Sequence, residues 1–330
     1  MKILLVRFSS IGDIVLTSPV IRCLKAQLNE VELHFLTKDK FQSILDTNPN
    51  LSKIYTIQKS YKEILPELKT ENYDVIIDLH HNIRTLGLKL KLGVRNYSFP
   101  KMNVKKWVLV NFKINRMPKL HIVERYFLAV KHLGVKNDKL PCDFFLNPED
   151  QVDIKALFGF QDYIAFAIGA QFATKRMNLK KIIELIDTID KPVILLGDQN
   201  DVTIANKICA HFPTKQLEQA CGKFSIRQSA SILKQAKVIL THDTGLMHIA
   251  SAFQKPIVSI WGNTVPSLGM YPYFPQQKDQ FSIHEVENLS CRPCSKIGFK
   301  TCPKKHFKCM EEQNVSLISE DLKKRLEACD

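Results

Sequence analysis

Eight short apolar runs, four in each half of the chain, alternate with segments patterned for helices. This alternation narrows the folds open to the chain more than any other feature. In the first half the runs are KILLVRF, VELHFLT, KIYTI and YDVIIDL; in the second they are YIAFAIG, PVILLG, VILTHD and PIVSIWG. Strands that alternate with helices need crossover connections, so the sheets are parallel and the class is α/β. The runs are apolar nearly throughout rather than at every second residue, as expected when helices cover both sheet faces.

At 330 residues the chain exceeds one ordinary core and suits two domains. The pattern starts afresh near Tyr163, after the loop-like LPCDFFLNPEDQ, which divides the chain into residues 1–155 and 156–330. Two such halves are expected to face a central cleft, with ligands at the carboxyl ends of the strands. The closing SEDLKKRLEACD reads as a helix with Ser319 as N-cap. No apolar run approaches the roughly 20 residues of a bilayer span. Arg7 and Asp13 interrupt the first apolar stretch, which argues against a signal peptide and for a cytoplasmic protein.

Three strand ends in the second half carry binding chemistry. In AKVILTHDTGLMHIASAF a strand ends at His242 and Asp243, Thr244 and Gly245 turn, and a helix follows. The unpaired N–H groups at such a helix start favour an anion, and a glycine lets a phosphate approach the backbone. His248 lies one turn into the helix. GAQFATKRMN supplies Lys175 and Arg176 as cations for a diphosphate, and LLGDQND places Asp201 where an acid could hold ribose hydroxyls. Helix capping by Asp243 or Thr244, with His248 as an ordinary polar residue, is the plainer reading of the first of these.

The first half opens with the same strand–turn–helix plan, but its turn, RFSSIGDIV, has one glycine and carries a carboxylate, Asp13. A dinucleotide fingerprint has three glycines and no such charge. Asp13 is either a helix cap or a group with chemistry of its own.

MKILLVRFSSIGDIVLTSPVIRCLK, IIDLHHNIRT from Ile76, KRMN from Lys175, CGKFSIRQSASILKQAKVILTHDTG from Cys221 and DTGLMHIASAF…PIVSIWGNTVP together resemble glycosyltransferase family 9. This is the family of ADP-heptose:lipopolysaccharide heptosyltransferases, and the likeness runs through nearly the whole chain in order. It implies a GT-B fold of two Rossmann-like domains, with the donor held by the C-terminal half. The implied donor residues are Lys175 at the diphosphate, Asp201 at the ribose, Phe224 against the adenine, and Asp243, Thr244, Gly245 and His248 at the phosphate and sugar. Asp13 is implied to be the general base of an inverting transfer, with Ser9, Ser10 and Gly12 lining the place where acceptor and sugar meet. No catalytic metal is implied, and the donor half has no DxD-type motif. His80, His81 and Arg84, beyond the strand end at Asp78, are the acceptor-side candidates.

The formal net charge is +14, which calls for an anionic partner. From Arg84 to Arg125 there are eleven Lys and Arg residues against one acid, Glu124, interleaved with Tyr97, Phe99, Trp107 and Phe112. A lipopolysaccharide-core acceptor on the inner face of the inner membrane, with peripheral contact to that anionic surface, fits the resemblance and the charge.

Of nine cysteines, Cys291, Cys294, Cys302 and Cys309 cluster with His306 in CRPCSKIGFKTCPKKHFKCM. A CxxC pair followed by two further thiols suits a structural zinc or iron, with His306 as an alternative ligand, although the spacing is not that of a zinc ribbon. Reduced packing cysteines are the other reading. Two alternatives to a heptosyltransferase stand: another GT-B sugar–nucleotide enzyme, such as an epimerase or a transferase with a different donor, and a basic, metal-clipped nucleic-acid-binding protein. No nucleic-acid module is found, which counts against the last.

Overall fold

The computed structural model describes residues 1–329. The chain forms two compact units, the first made of Met1–Met102 and Leu120–Asn147, the second of Asn103–Lys119 and the chain from Pro148 onward.

The first unit holds a five-stranded sheet of β1 (Lys2–Val6), β2 (Glu32–Lys38), β3 (Lys53–Ile57), β4 (Val75–Asp78) and β5 (Arg95–Ser98), in the order β3-β2-β1-β4-β5. Every pairing is parallel. Chain order reverses between β1 and β4. Their register sets Val6 opposite Asp78, so the two strands end level and their following turns rise side by side. Leu4, Val6, Phe8, Leu36 and Ile76 are fully buried in the core on this sheet, each worth about 1.5–3 kcal/mol of transfer free energy.

The second unit has a six-stranded parallel sheet: β6 (Ile164–Ala167), β7 (Val193–Leu196), β8 (Leu217–Gln219), β9 (Val238–His242), β10 (Ile257–Trp261) and β11 (Phe281–Glu285). Its order is β11-β10-β9-β6-β7-β8, so the reversal falls between β6 and β9. Ala167 lies opposite Thr241, which again brings two strand ends level.

All eight apolar runs form strands. The three additional strands, β5, β8 and β11, are RNYS, LEQ and FSIHE, and all lie at sheet edges. An edge strand has fewer neighbours to bury against, so its sequence need not be a continuous apolar run. The C-terminal helix corrects another expectation. It spans Val315–Glu327 and is capped by Asn314, whose side chain accepts from Leu317 N at 3.1 Å, while Ser319 lies buried inside it. Val315, Ile318 and Leu322, at spacings of three and four, pack into the second core and draw the helix start forward.

The helix Asn103–Phe112 packs with the second unit although its sequence lies inside the first half. Just beyond it, Lys113 Nζ donates to Cys291 O at 3.2 Å and Pro293 O at 2.8 Å. Among the described residues no helix is long and apolar enough to cross a membrane.

Candidate active site

In open parallel sheets, ligands bind beyond the carboxyl ends of the strands where chain order reverses. In the first unit that position belongs to the turns after β1 and β4. The first turn carries Ser9, Ser10, Gly12 and Asp13; the second carries His80, His81 and Arg84.

Asp13 stands in the first turn of the short helix Ile11–Val15. Its Oδ2 accepts from Ser10 N at 3.1 Å and from Ser10 Oγ at 2.8 Å. Its Oδ1 lies 2.5 Å from Arg7 Nη2. The same guanidinium donates from Nε to Ser9 O at 2.6 Å and from Nη1 to Leu79 O at 2.5 Å. Arg7 therefore ties the turn after β1 to the end of β4 and holds Asp13 between them. Burial would push the Asp13 carboxyl up, but Arg7 and the Ser10 hydrogen bonds outweigh it and hold the pKa at about 2. Ser10 is the N-cap of this helix, and Asp13, at its third residue, closes the capping box by accepting from Ser10 N. Asp13 is thus not the N-cap itself, and its carboxylate stays ionised.

His80 is buried, and desolvation together with the charges of Arg7 and Lys101 pushes its pKa down to about 3. It is a neutral imidazole at ordinary pH. Its Nδ1 has no hydrogen-bond partner among the described residues. His81 is exposed and its Nδ1 lies 2.8 Å from Phe99 O. Arg84 is also exposed, its guanidinium carbon 5.8 Å from the centroid of the Phe8 ring.

In the second unit the turns after β6 and β9 flank the reversal. Lys175 Nζ lies 2.5 Å from Asp243 Oδ2, which also accepts from Thr264 Oγ1 at 2.8 Å. His242 Nε2 accepts from Met177 N at 3.1 Å, and burial pushes its pKa down to about 4, which leaves it a neutral acceptor. Two contacts thus join the Lys175 loop to the end of β9. Thr244 caps the helix Gly245–Ala252, its side chain accepting from Leu246 N, and His248 is buried within that helix.

Asp201 is placed differently from Lys175. Its Oδ1 pairs with Arg176 Nη1 at 3.0 Å, its Oδ2 accepts from Asp198 N at 3.0 Å, and burial raises its pKa. A Cβ built on Gly169 would sit 2.2 Å from Asp201 Oδ2, so glycine at the end of β6 is what admits this carboxylate. Phe224 is half-buried in the turn just before Ser225, the N-cap of the helix Ile226–Gln235.

The cysteine segment brings Cys291 Sγ to 3.8 Å from His306 Nε2. Burial, reinforced by neighbouring thiols, pushes Cys294 up to about 11; burial takes Cys309 up to about 12. Among the described residues, the set of three or more candidate ligand atoms within 4.8 Å of one another is Glu32, His34 and Glu71, not the cysteines. That set lies at the amino edge of the first sheet. There Lys2 and Lys53 pair with Glu71 at 2.7 and 2.8 Å, and both ring nitrogens of His34 have partners, so it reads as a charge-balanced structural cluster.

Arg7, Thr264 and His242 are the contacts that sequence reasoning did not single out. Arg7 had a visible signal, a cation closing an apolar strand six residues before Asp13. Thr264 had none, because its contact with Asp243 depends on β10 lying beside β9.

Two Rossmann-like units, one presenting a carboxylate and the other a lysine and a helix start at its sheet reversal, define a glycosyltransferase of GT-B architecture. The chain belongs to glycosyltransferase family 9 (heptosyltransferase), which it matches over residues 62–306. It is 24% identical over 294 residues to lipopolysaccharide heptosyltransferase 1 of Campylobacter coli, covering 80% of this chain and 84% of that one. Its fold is that of the glycosyl transferase family 9 protein from Veillonella parvula (TM-score 0.81, 18% identity, 99% and 97% of the two chains covered). It is also that of the ADP-heptose lps heptosyltransferase II of E. coli (TM-score 0.73, 19% identity, 99% of each chain covered).

Proposed function

We propose that the protein transfers heptose, or a closely related sugar, from an ADP-linked donor to a lipopolysaccharide-core acceptor by a single inverting displacement. The observation that carries this reading is the Lys175–Asp243 pair at the reversal between β6 and β9, beside the start of the helix Gly245–Ala252. The names of the similar heptosyltransferases support the sugar and acceptor.

In this reading Lys175 and the N–H groups at the helix start take up charge on the departing diphosphate. Phe224 offers an aromatic face to the adenine. Asp201 contacts the ribose by exchanging its Arg176 partner for a hydroxyl. Asp243 and Thr244 order the turn, and Gly245 and His248 border the phosphate and sugar.

Asp13 receives the proton of the attacking acceptor hydroxyl. A carboxylate of pKa about 2 is a weak base towards a free alcohol. It is adequate towards an alcohol already bonding to the anomeric carbon, because that oxygen becomes a far stronger acid than a carboxylic acid. Proton transfer is then late and concerted with bond formation. Ser9, Ser10 and Gly12 border the base, while His80, His81 and Arg84 contact the acceptor, with Arg84 facing its anionic groups. No metal takes part in the transfer.

Peripheral contact with an anionic membrane, on the cytoplasmic side of the inner membrane, belongs to the same reading. Ile83, Leu86 and Leu90 form an exposed apolar stripe on the helix Ile83–Leu92, with Arg84 and Lys91 beside it and no acid in the helix. Val104, Trp107 and Phe112 are exposed on the helix Asn103–Phe112, which carries Lys105 and Lys106. Cys291, Cys294, Cys302 and Cys309, with His306 as alternative ligand, are the residues that would hold a structural zinc or iron. Cys291 Sγ and His306 Nε2 lie 3.8 Å apart, and binding would have to draw the other thiols in as well as displace their protons.

The test is a panel of ADP-, GDP- and UDP-sugars assayed for stabilisation, followed by mass spectrometry of the core oligosaccharide from a strain lacking the protein. Stabilisation by ADP-heptose above the others, and a core shortened at a heptose, are expected. Preference for a uridine or guanosine donor would overturn the reading.

A further inference from the structure

The loop that carries Lys175 is held from outside by the segment that carries the cysteines. Thr174, immediately before Lys175, is 1% exposed. Its N–H donates to Phe299 O at 3.2 Å. Its hydroxyl accepts from Phe299 N at 2.8 Å and donates to Phe299 O at 3.2 Å. One threonine therefore satisfies both backbone groups of a residue lying between Cys294 and Cys302. The approach is close: Gly298 has φ 129°, and a Cβ built there would come 2.6 Å from Phe172 Cβ.

The same segment also holds the residue that binds Asp243, the partner of Lys175. Arg292 donates from Nε to Gly262 O at 2.6 Å and from Nη2 to Thr264 O at 2.9 Å, and pairs with Glu285 at 2.7 Å. Cys294 N donates to Asn263 O, and Asn263 N donates to Thr174 O, each at 3.2 Å. Thr264 in turn holds Asp243, the counterion of Lys175. The lysine and its carboxylate partner are thus each one residue or one hydrogen bond from a contact with residues 292–299.

We propose that the Thr174–Phe299 clasp is the positioning contact for Lys175, through which the cysteine-bearing segment sets the affinity of the second unit for a nucleoside diphosphate. The inference rests on the reading of Lys175 as a diphosphate ligand. Thr174 acts through Lys175 and does not itself touch the ligand. Ordinary loop packing would also place a buried threonine here, but it would not make the effect of Thr174 depend on Lys175.

A double-mutant cycle read by ADP titration calorimetry tests this. Thr174→Val keeps the shape and removes the hydroxyl with both of its hydrogen bonds to Phe299, so it should weaken ADP about fivefold to a hundredfold. Thr174→Ser should restore affinity to within about twofold of the parent chain. In a Lys175→Ala background, Thr174→Val should change ADP affinity less than about twofold. Melting temperatures are taken in parallel, and Thr174→Ala replaces the valine variant if that chain does not fold. Unchanged ADP affinity in Thr174→Val, or an equal loss with and without Lys175, would overturn the inference and leave the donor reading standing. Failure of the parent chain to bind ADP would overturn both.

Discussion

Arg7 and Asp13 form an ion pair, Nη2 to Oδ1 2.5 Å, at the reversal between β1 and β4, and the same guanidinium reaches Leu79 O at the end of β4. The proposed base is therefore fixed in place by its own counterion, and the two have opposite effects on its chemistry. The pair guarantees the ionised form and lowers its basicity.

Asp13→Asn retains shape and loses the proton acceptor. Transfer should fall by at least about a hundredfold, the lower end of what a general base contributes. ADP affinity should stay nearly unchanged, because the nucleotide contacts are assigned to the second unit. Turnover measured at saturating donor together with calorimetric ADP binding checks this, and near-normal turnover would remove Asp13 from the mechanism.

Arg7→Gln should move the acid limb of kcat/KM. In the parent chain Asp13 has a folded pKa of about 2, so it remains a carboxylate across the ordinary assay range and contributes no limb above pH about 3. Without the guanidinium, burial is opposed only by the Ser10 hydrogen bonds, and the pKa rises by about one to three units. An acid limb should then enter the measurable range. A profile identical to that of the parent chain would show that Arg7 does not govern Asp13.

Lys175→Met should weaken ADP about tenfold to a hundredfold, the worth of one charge-assisted hydrogen bond to the diphosphate. Adenosine, which lacks the phosphates, should lose little. Calorimetry with both ligands separates loss of the charge from a general distortion of the loop.

Lys89→Met tests stability rather than transfer. Asp78 is fully buried, its Oδ2 lies 3.0 Å from Lys89 Nζ, and its Oδ1 accepts from His80 N and His81 N. Removing the ammonium strands a buried carboxylate and should cost about 3–5 kcal/mol. Burial alone would raise the Asp78 pKa, but the hydrogen bonds of His81, Thr85 and Lys89 lower it on balance. The stabilisation is therefore complete above the unfolded value of about 3.9 and is lost as pH falls through the folded value. Urea denaturation of the parent chain between pH 7 and pH 3 should show stability falling at the acid end of that range.

Protein purified without a histidine tag should carry about one zinc or iron per chain, and Cys294→Ser should lose it. Elemental analysis decides the point. A metal-free parent chain would leave the cysteines as packing residues.

Sequence alone determined the α/β class, the two parallel sheets and the turns that bear chemistry, because each follows from short-range pattern. A buried parallel strand must be apolar, and a residue placed just after it must lie at the sheet's carboxyl edge. RFSSIGD, DLHHN, ATKRM and HDTG were legible as turns for that reason. Strand order was decided only by the tertiary structure. It set β1 beside β4 and β6 beside β9, and so joined Arg7 to Leu79, Lys175 to Asp243 and His242 to Met177 across gaps of up to 72 residues. The edge strands RNYS, LEQ and FSIHE escaped the sequence for the converse reason, since a strand with one neighbour need not carry a buried pattern. The commitment of both Asp201 oxygens, and the grip of Phe299 on Thr174, likewise exist only once separate loops meet. Such contacts leave no periodicity in the chain, because the groups that satisfy one another are neighbours in space alone.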